Sequence, residues 1–194
     1  MIAIIDYNAG NVASIKYALK KLEEDFVVTS DPKEILRADR VIFPGVGRAG
    51  SAMSEIDKRG LLKILKEIKK PFLGICLGMQ LLLSFSDEDN VDCLNIIPGR
   101  AKKIENGLKV PQIGWNKVAF LQSSPLFLNI ESNSYFYFVH SYYCDVGEEV
   151  KIGVTDYGLE FGSVVKKDNF FGVQFHPEKS GEIGLMLLRN FCNL

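Results

Sequence analysis

The stretch Phe72-Leu73-Gly74-Ile75-Cys76-Leu77-Gly78-Met79-Gln80 sets an apolar run, a glycine-flanked cysteine and a second apolar run end to end. Phe72–Ile75 predicts a buried strand, and Leu77–Phe85 predicts a mostly apolar helix. The G-x-C-x-G between them has the geometry that G-x-S-x-G gives serine hydrolases: a sharp turn that lifts its central side chain above a sheet edge. Glycines two before and two after remove side chains that would crowd it. A cysteine near a helix N-terminus is favoured as thiolate by the helix dipole, and the Leu77 N–H can point at an oxyanion. An isolated cysteine between Ile75 and Leu77 would read as inert and buried. The paired glycines and the strand–helix setting reverse that reading. Cys93, Cys144 and Cys192 lack this setting and read as packing residues.

Upstream, strand and helix patterns alternate. Ile2–Tyr7 is a continuous apolar run ended by the turn Asn8-Ala9-Gly10. Val12, Ile15, Ala18, Leu19 and Leu22 recur at helical spacing with lysines between them. Phe26–Thr29 and Arg40–Phe43 read as strands, and Asp31-Pro32 opens a short helix. Residues 51–69 carry apolar side chains on a helical period, with Gly60 as a break. Alternation of this kind argues a parallel sheet covered on both faces. Downstream the character changes. Tyr135–Val139, Val150–Thr155, Phe161–Val165 and Phe170–Phe175 are short strand-like runs rich in β-branched and aromatic residues, and Ser180 stands where it would cap a last helix. The fold expected is α/β: one domain, residues 1–194, with a central, mostly parallel, mixed sheet flanked by helices.

Composition agrees with a chain that builds its own core. It has 194 residues, 47% hydrophobic, with a formal net charge of -1. No clustered basic charge suggests nucleic acid. No run approaches the roughly 20 apolar residues of a spanning helix, and the apolar start has no basic flank and is too short for a secretory leader. The four cysteines form no C-x-x-C pair, which argues against a zinc or redox motif and favours reduced thiols in the cytoplasm.

Two further motifs carry chemistry. Gly45-Val46-Gly47-Arg48-Ala49-Gly50 matches G-x-G-x-x-G, but it follows the third strand-like run and a proline. The next strand ends in Cys76 instead of the acidic residue that would hold a ribose, so a dinucleotide site is disfavoured. A tight crossover remains open. So does a run of backbone N–H donors able to hold a developing oxyanion. Phe175-His176-Pro177-Glu178 follows an apolar strand. Pro177 biases His176 toward an extended conformation, and in an extended segment Glu178 lies on the same side and can accept from one ring nitrogen. The other nitrogen is then free to meet a thiolate, which completes a cysteine triad. His140, in Val139-His140-Ser141-Tyr142, is an alternative base without an acid two residues on.

With these residues in hand, the sequence resembles class I glutamine amidotransferases over nearly its whole length. More narrowly, it is similar to glutaminase subunits of imidazole glycerol phosphate synthase. The resemblance rests on IDYNAGN within residues 2–11, PGVG at 44–47, GICLGMQ at 74–80, PQIGWN at 111–116, YFVHSY at 137–142 and GVQFHPEKS at 172–180. It implies a flavodoxin-like fold, with Cys76 as nucleophile, His176 as base and Glu178 as orienter. It implies a second oxyanion donor from Gly45, Val46 and Gly47 beside that of Leu77. Gln80, Ser141 and Tyr142 would hold the substrate glutamine, and Asn11, Trp115, Asn116 and Lys179 would lie near a synthase face. The sequence departs from the family pattern at Asn8, where glycine is usual, at Gln112, where histidine is usual, and at Arg48, where smaller or apolar residues are common.

The reaction implied is acyl transfer. Cys76 attacks the glutamine side-chain amide, ammonia leaves, and water releases glutamate from a thioester, with no metal or organic cofactor. Because ammonia is lost to water, the resemblance also implies a (β/α)8-barrel cyclase partner that receives it. A glutaminase for a different synthase, a non-catalytic scaffold and a cysteine peptidase are the competing readings.

Overall fold

Residues 1–8, 11–105 and 107–194 are described in a computed structural model. The expected turn at Asn8-Ala9-Gly10 falls partly outside them, at Ala9 and Gly10. The first half runs β1 (Ile2–Ile5), α1 (Val12–Lys21), β2 (Phe26–Thr29), α2 (Pro32–Arg37), β3 (Arg40–Phe43), α3 (Ala49–Lys58), α4 (Leu62–Glu67), β4 (Phe72–Ile75) and α5 (Leu77–Gln80). The second half runs β5 (Phe85–Ser86), β6 (Val91–Asp92), β7 (Arg100–Lys103), β8 (Gln112–Phe120), β9 (Ser134–His140), β10 (Tyr142–Asp145), β11 (Lys151–Asp156), β12 (Glu160–Lys167), β13 (Phe170–Val173) and α6 (Gly181–Cys192). Among the described residues, no helix is long and apolar enough to cross a membrane.

The sheet is mixed, in the order β2-β1-β3-β4-β13-β12-β10-β7-β5-β6, and β11, β8 and β9 extend it from β12. β2, β1, β3, β4 and β13 are parallel neighbours, and the antiparallel part begins at β12. The apolar runs of β1, β3 and β4 are continuous because both faces are covered. Ile5, Val41, Phe43 and Phe72 face one core with Ala52, Met53 and Ile56 of α3. Ile2, Ile4, Ile42, Leu73 and Ile75 face the other with Ile15 of α1 and Leu187, Leu188 and Phe191 of α6. Each Val, Leu, Ile, Met or Phe among them withdrawn from water contributes about 2 kcal/mol.

One pairing matters most for function. β13 lies parallel beside β4, with Val173 opposite Ile75. The residues that follow each strand, Gln174 to His176 and Cys76, therefore leave the sheet at the same carboxyl edge. That edge is where ligands bind in open α/β sheets.

Three local expectations change. The apolar helix expected over Leu77–Phe85 ends at Gln80. The carbonyls of Leu81, Leu82 and Leu83 accept from the amides of residues 94–97 instead of from the next helical turn. The 51–69 pattern divides at Gly60, whose φ of 67° ends α3 before α4 begins. Ser180 stands ahead of α6 but makes no side-chain cap. Its hydroxyl donates to the His176 carbonyl at 2.7 Å and accepts from the Tyr137 N–H at 3.0 Å, which ties the histidine segment to β9. Asp31 caps α2 as its sequence suggests, accepting from the Lys33 N–H at 2.8 Å.

Candidate active site

The turn after β4 holds Cys76 at φ 55°, ψ -112°. Positive φ is rare for a residue with a Cβ and costs on the order of 1–3 kcal/mol, a strain that persists only where surroundings enforce it. Here the Cys76 N–H is fastened to the Val173 carbonyl at 2.8 Å. Glycines make room around it. A Cβ on Gly78 would run into the Phe43 carbonyl, and one on Gly45 would meet Gly78 N and Leu77. The segment leaving β3 thus lies backbone to backbone on the cysteine turn. Because α5 is a single turn, its dipole is weak. The local N–H groups at its start, Leu77 above all, are what a developing anion would meet.

His176 (φ -103°, ψ 95°) closes the other side. Its own N–H donates to the Tyr137 carbonyl at 2.9 Å. Nδ1 lies 2.8 Å from Glu178 Oε1, both side chains being buried. The extended geometry expected for Glu178 is not what brings this about. Pro177 starts a 3-10 turn over Pro177–Lys179, and that turn swings the carboxylate back under the ring. With Nδ1 taken by Glu178, Nε2 is left for Cys76. It is buried and makes no hydrogen bond of full geometry, yet the sulfur is near enough to act on the ring. Burial opposes the imidazolium, but Cys76 and Glu178 outweigh it and lift the His176 pKa from 6.5 to about 10.

His140 is placed differently. It is buried in the β8–β9 pair opposite Gln112. Nδ1 lies 2.8 Å from the Tyr142 carbonyl, and Nε2 lies 3.0 Å from the Gln112 amide. Burial drives its pKa down to about 4, so the ring is neutral. A neutral ring that donates from Nδ1 to a carbonyl must accept at Nε2, so Gln112 presents its NH2 group there. With both nitrogens engaged, His140 has none for Cys76.

Cys76 and His176 open on a cleft of about 310 Å³ that Val46, Gly47, Leu77, Gln80, Ser141, Tyr142 and Lys179 also line. Gly45 is a layer deeper, packed beneath Leu77 and Gly78. Both N–H groups of Gln80 are spent, on the Tyr142 carbonyl at 2.9 Å and on Gln174 Oε1 at 3.0 Å. Only its oxygen is left to meet a ligand. Asn11, Trp115 and Asn116 stand away from the cleft. Asn11 caps α1 through Ser14, Asn116 donates to the Asp156 carbonyl, and Trp115 is exposed beside Tyr137. Lys179 lies with its ammonium 6.0 Å from the Tyr137 ring. Among the described residues, no group of three or more His, Cys, Asp or Glu is placed to hold a metal ion.

A strained cysteine facing a histidine that a buried glutamate orients, at the carboxyl edge of a partly parallel sheet, is an arrangement able to carry cysteine acyl transfer. Residues 3–193 match the family described as "Glutamine amidotransferase class-I". The chain belongs to the class-I glutamine amidotransferases. It is 50% identical to "Imidazole glycerol phosphate synthase subunit HisH" of Bacillus cereus, over 98% of this chain and 93% of that one. It is 48% identical to the protein of the same name from Methanocaldococcus jannaschii, over the whole of both chains. A solved structure described as a glutamine amidotransferase superposes with a TM-score of 0.78 at 16% identity, covering 100% of this chain and 98% of that one. A glutamine amidotransferase from Thermotoga maritima gives 0.65 at 16% identity, covering 99% and 82%.

One wall of the cleft in this class-I amidotransferase chain carries no mark in its sequence. Glu88 lines the cleft, and its Oε2 accepts from the Ala49 N–H at 2.9 Å. Burial raises its pKa. Beside it, Asp89 grips the Arg48 guanidinium and accepts from the Gly50 N–H at 3.1 Å. In sequence Glu88 sits in the acidic run Asp87-Glu88-Asp89, which reads as a solvated loop. No local pattern distinguishes it.

Proposed function

We propose that this chain, over residues 1–194, is the glutaminase subunit of an imidazole glycerol phosphate synthase. On this reading it releases ammonia from L-glutamine for a cyclase partner in histidine biosynthesis. The observation that carries the reading is the meeting of Cys76, His176 and Glu178 in one cleft, in a chain half identical to proteins of that name.

Cys76 is the nucleophile, His176 the proton carrier and Glu178 its orienter. Glutamine lies with its side-chain amide over Cys76 and its α-ammonium toward the Gln80 oxygen and the Glu88 carboxylate, the acceptors that the cleft offers a cation. The sulfur adds to the amide carbon. The new oxyanion is held by the Leu77 N–H and by an N–H of the Gly45–Val46–Gly47 segment, each such donor worth roughly 3 kcal/mol. His176, which takes the thiol proton, passes it to the leaving nitrogen. Ammonia departs, and the thioester on Cys76 is cleaved by water that His176 deprotonates. Ser141 and Tyr142 hold the amino-acid end. None of these steps calls for a metal or organic cofactor.

The ammonia goes to a (β/α)8-barrel synthase docked around Asn11, Trp115, Asn116 and Lys179. Val46, which is exposed, and Gly47, at φ 103°, leave the oxyanion segment free to reorient when the partner docks. Glutaminase activity is therefore low without the partner, a gating step. Four free thiols fit a reducing compartment, the cytoplasm.

The test is purification with and without candidate cyclases, followed by assays of glutamate and of the glutamine-dependent product. Cys76→Ser should abolish glutamine-dependent synthesis while added ammonium salts still support it. Undiminished glutamate release by that variant would end the proposal, and equal rates with and without the partner would end the gating part of it.

A further inference from the structure

Gln174 has no part in the triad, yet it is fully buried and stands one residue beyond Val173, which the parallel register sets opposite Ile75. The same register brings its side chain alongside Cys76. Its Nε2 lies 3.7 Å from Cys76 Sγ, and its Oε1 lies 3.0 Å from Gln80 Nε2.

The orientation of this amide follows from one backbone group. The Tyr142 carbonyl can only accept. It draws N–H groups from Gln80 at 2.9 Å and from His140 at 2.8 Å. That sets the NH2 end of Gln80 toward Tyr142, and its remaining N–H reaches Gln174. Gln174 must then turn its oxygen to Gln80 and its NH2 to the sulfur. The Cys144 thiol, 4.0 Å from the same oxygen, supports that orientation. A flipped Gln174 would set NH2 against NH2 at Gln80 and oxygen against sulfur.

We propose that Gln174 is a positioning residue for the nucleophile: its amide, turned by Gln80, donates to Cys76 Sγ and holds the sulfur as a hydrogen-bond acceptor. This assignment rests on the glutaminase reading above and deepens it. A sulfur that receives an N–H is favoured as thiolate, since a donor stabilises the charged form. It is also kept from turning toward the Val139 carbonyl, 3.8 Å away, which competes for the thiol proton. The titratable groups around the sulfur are His176 with Glu178 behind it, Tyr7 and Cys144. Burial pushes both Tyr7 and Cys144 up, so they stay neutral at working pH. His176 and the Gln174 amide are then the groups that act on the charge of Cys76.

The experiment is the pH dependence of Cys76 alkylation by iodoacetamide in wild type, Gln174→Met and Gln174→Asn, with the labelled residue identified by mass spectrometry. Methionine keeps the volume without the donor, and asparagine keeps the amide but draws it back from the sulfur. Thermal melting of each variant shows whether it is folded. In Gln174→Met the alkylation midpoint should rise by about one to two pH units. With the synthase partner present, kcat at neutral pH should fall roughly tenfold while KM for glutamine stays. Gln174→Asn should shift the same way by less, and it decides the matter if Gln174→Met does not fold. An unmoved midpoint in a folded variant overturns the role of Gln174 and leaves the glutaminase reading standing. Undiminished glutamate release by Cys76→Ala would instead overturn that reading and this role with it.

Discussion

His176 and His140 show how one residue type takes opposite charge states on the walls of one cleft. His176 gains Cys76 and Glu178 as partners, and its pKa rises from 6.5 to about 10. A histidine raised in the fold adds stability below its unfolded value, and that contribution is lost as pH climbs from about 6.5 through 10. The melting-temperature gap between wild type and Glu178→Gln should therefore be widest below about pH 6.5 and close toward pH 10. Cys76→Ala removes the strongest of the groups that raise the ring, so its NMR titration should move down toward 6.5. The hydrogen-bond partners of His140 are neutral, and burial, helped by the nearby charge of His176, lowers it to about 4. Its sign is reversed. The unfolded chain takes up a proton that the fold refuses, and roughly 3 kcal/mol is lost as pH falls from 6.5 to 4. His140→Gln lacks that loss. Its deficit in urea midpoint against wild type should shrink as the solution is acidified.

At the scale of elements, the site depends on a seam between the segment leaving β3 and the cysteine turn. Gly78 and Gly45 are glycine because backbone fills the space where a Cβ would stand. Gly47 has open space around it but sits at φ 103°. These positions should respond differently to alanine. Gly78→Ala pushes on the Phe43 carbonyl and should lower the melting temperature sharply. Gly47→Ala should cost about 1 kcal/mol of stability yet disturb the oxyanion segment, so kcat should fall far more than the melting temperature. The seam is anchored at its start by Tyr7, buried against Phe43, whose hydroxyl donates to the Pro44 carbonyl at 2.6 Å. Tyr7→Phe should cost about 1 kcal/mol in denaturant unfolding and should also slow glutamine turnover.

For the whole molecule, the telling feature is β8. Gln112 points into the core while Ile113 and Trp115 point outward, 60% and 55% exposed. That reverses the usual polarity of a strand. β8 also carries no strand mark in the sequence while β9 beside it does: the aromatic and β-branched run of Tyr135–Val139 has no counterpart in Gln112–Phe120. An outward aromatic beside Tyr137 and Lys179 suits a partner surface. Trp115→Ala should leave the melting of the free chain unchanged. It should weaken synthase binding by about 2 kcal/mol, roughly thirtyfold in Kd by calorimetry.

The parallel core, the cysteine turn and the His176–Glu178 pair were legible in the residues because each is written locally. Continuous apolar runs mark strands covered on both faces, glycines mark where backbone must approach backbone, and the histidine and its acid stand two residues apart, although a 3-10 turn and not an extended segment brings them together. The helix expected over Leu77–Phe85 was overridden by distant amides that claim its carbonyls, and Ser180 left its cap for the His176 carbonyl. Glu88, the engaged state of His140 and the orientation of Gln174 carry no local mark at all. The last two follow from the register of β8 on β9 and of β13 on β4, and Glu88 from the contact of its loop with the start of α3, all between segments far apart in the chain. Local sequence sets what each segment can become, but which side chains meet is decided by the long-range packing that buries them together.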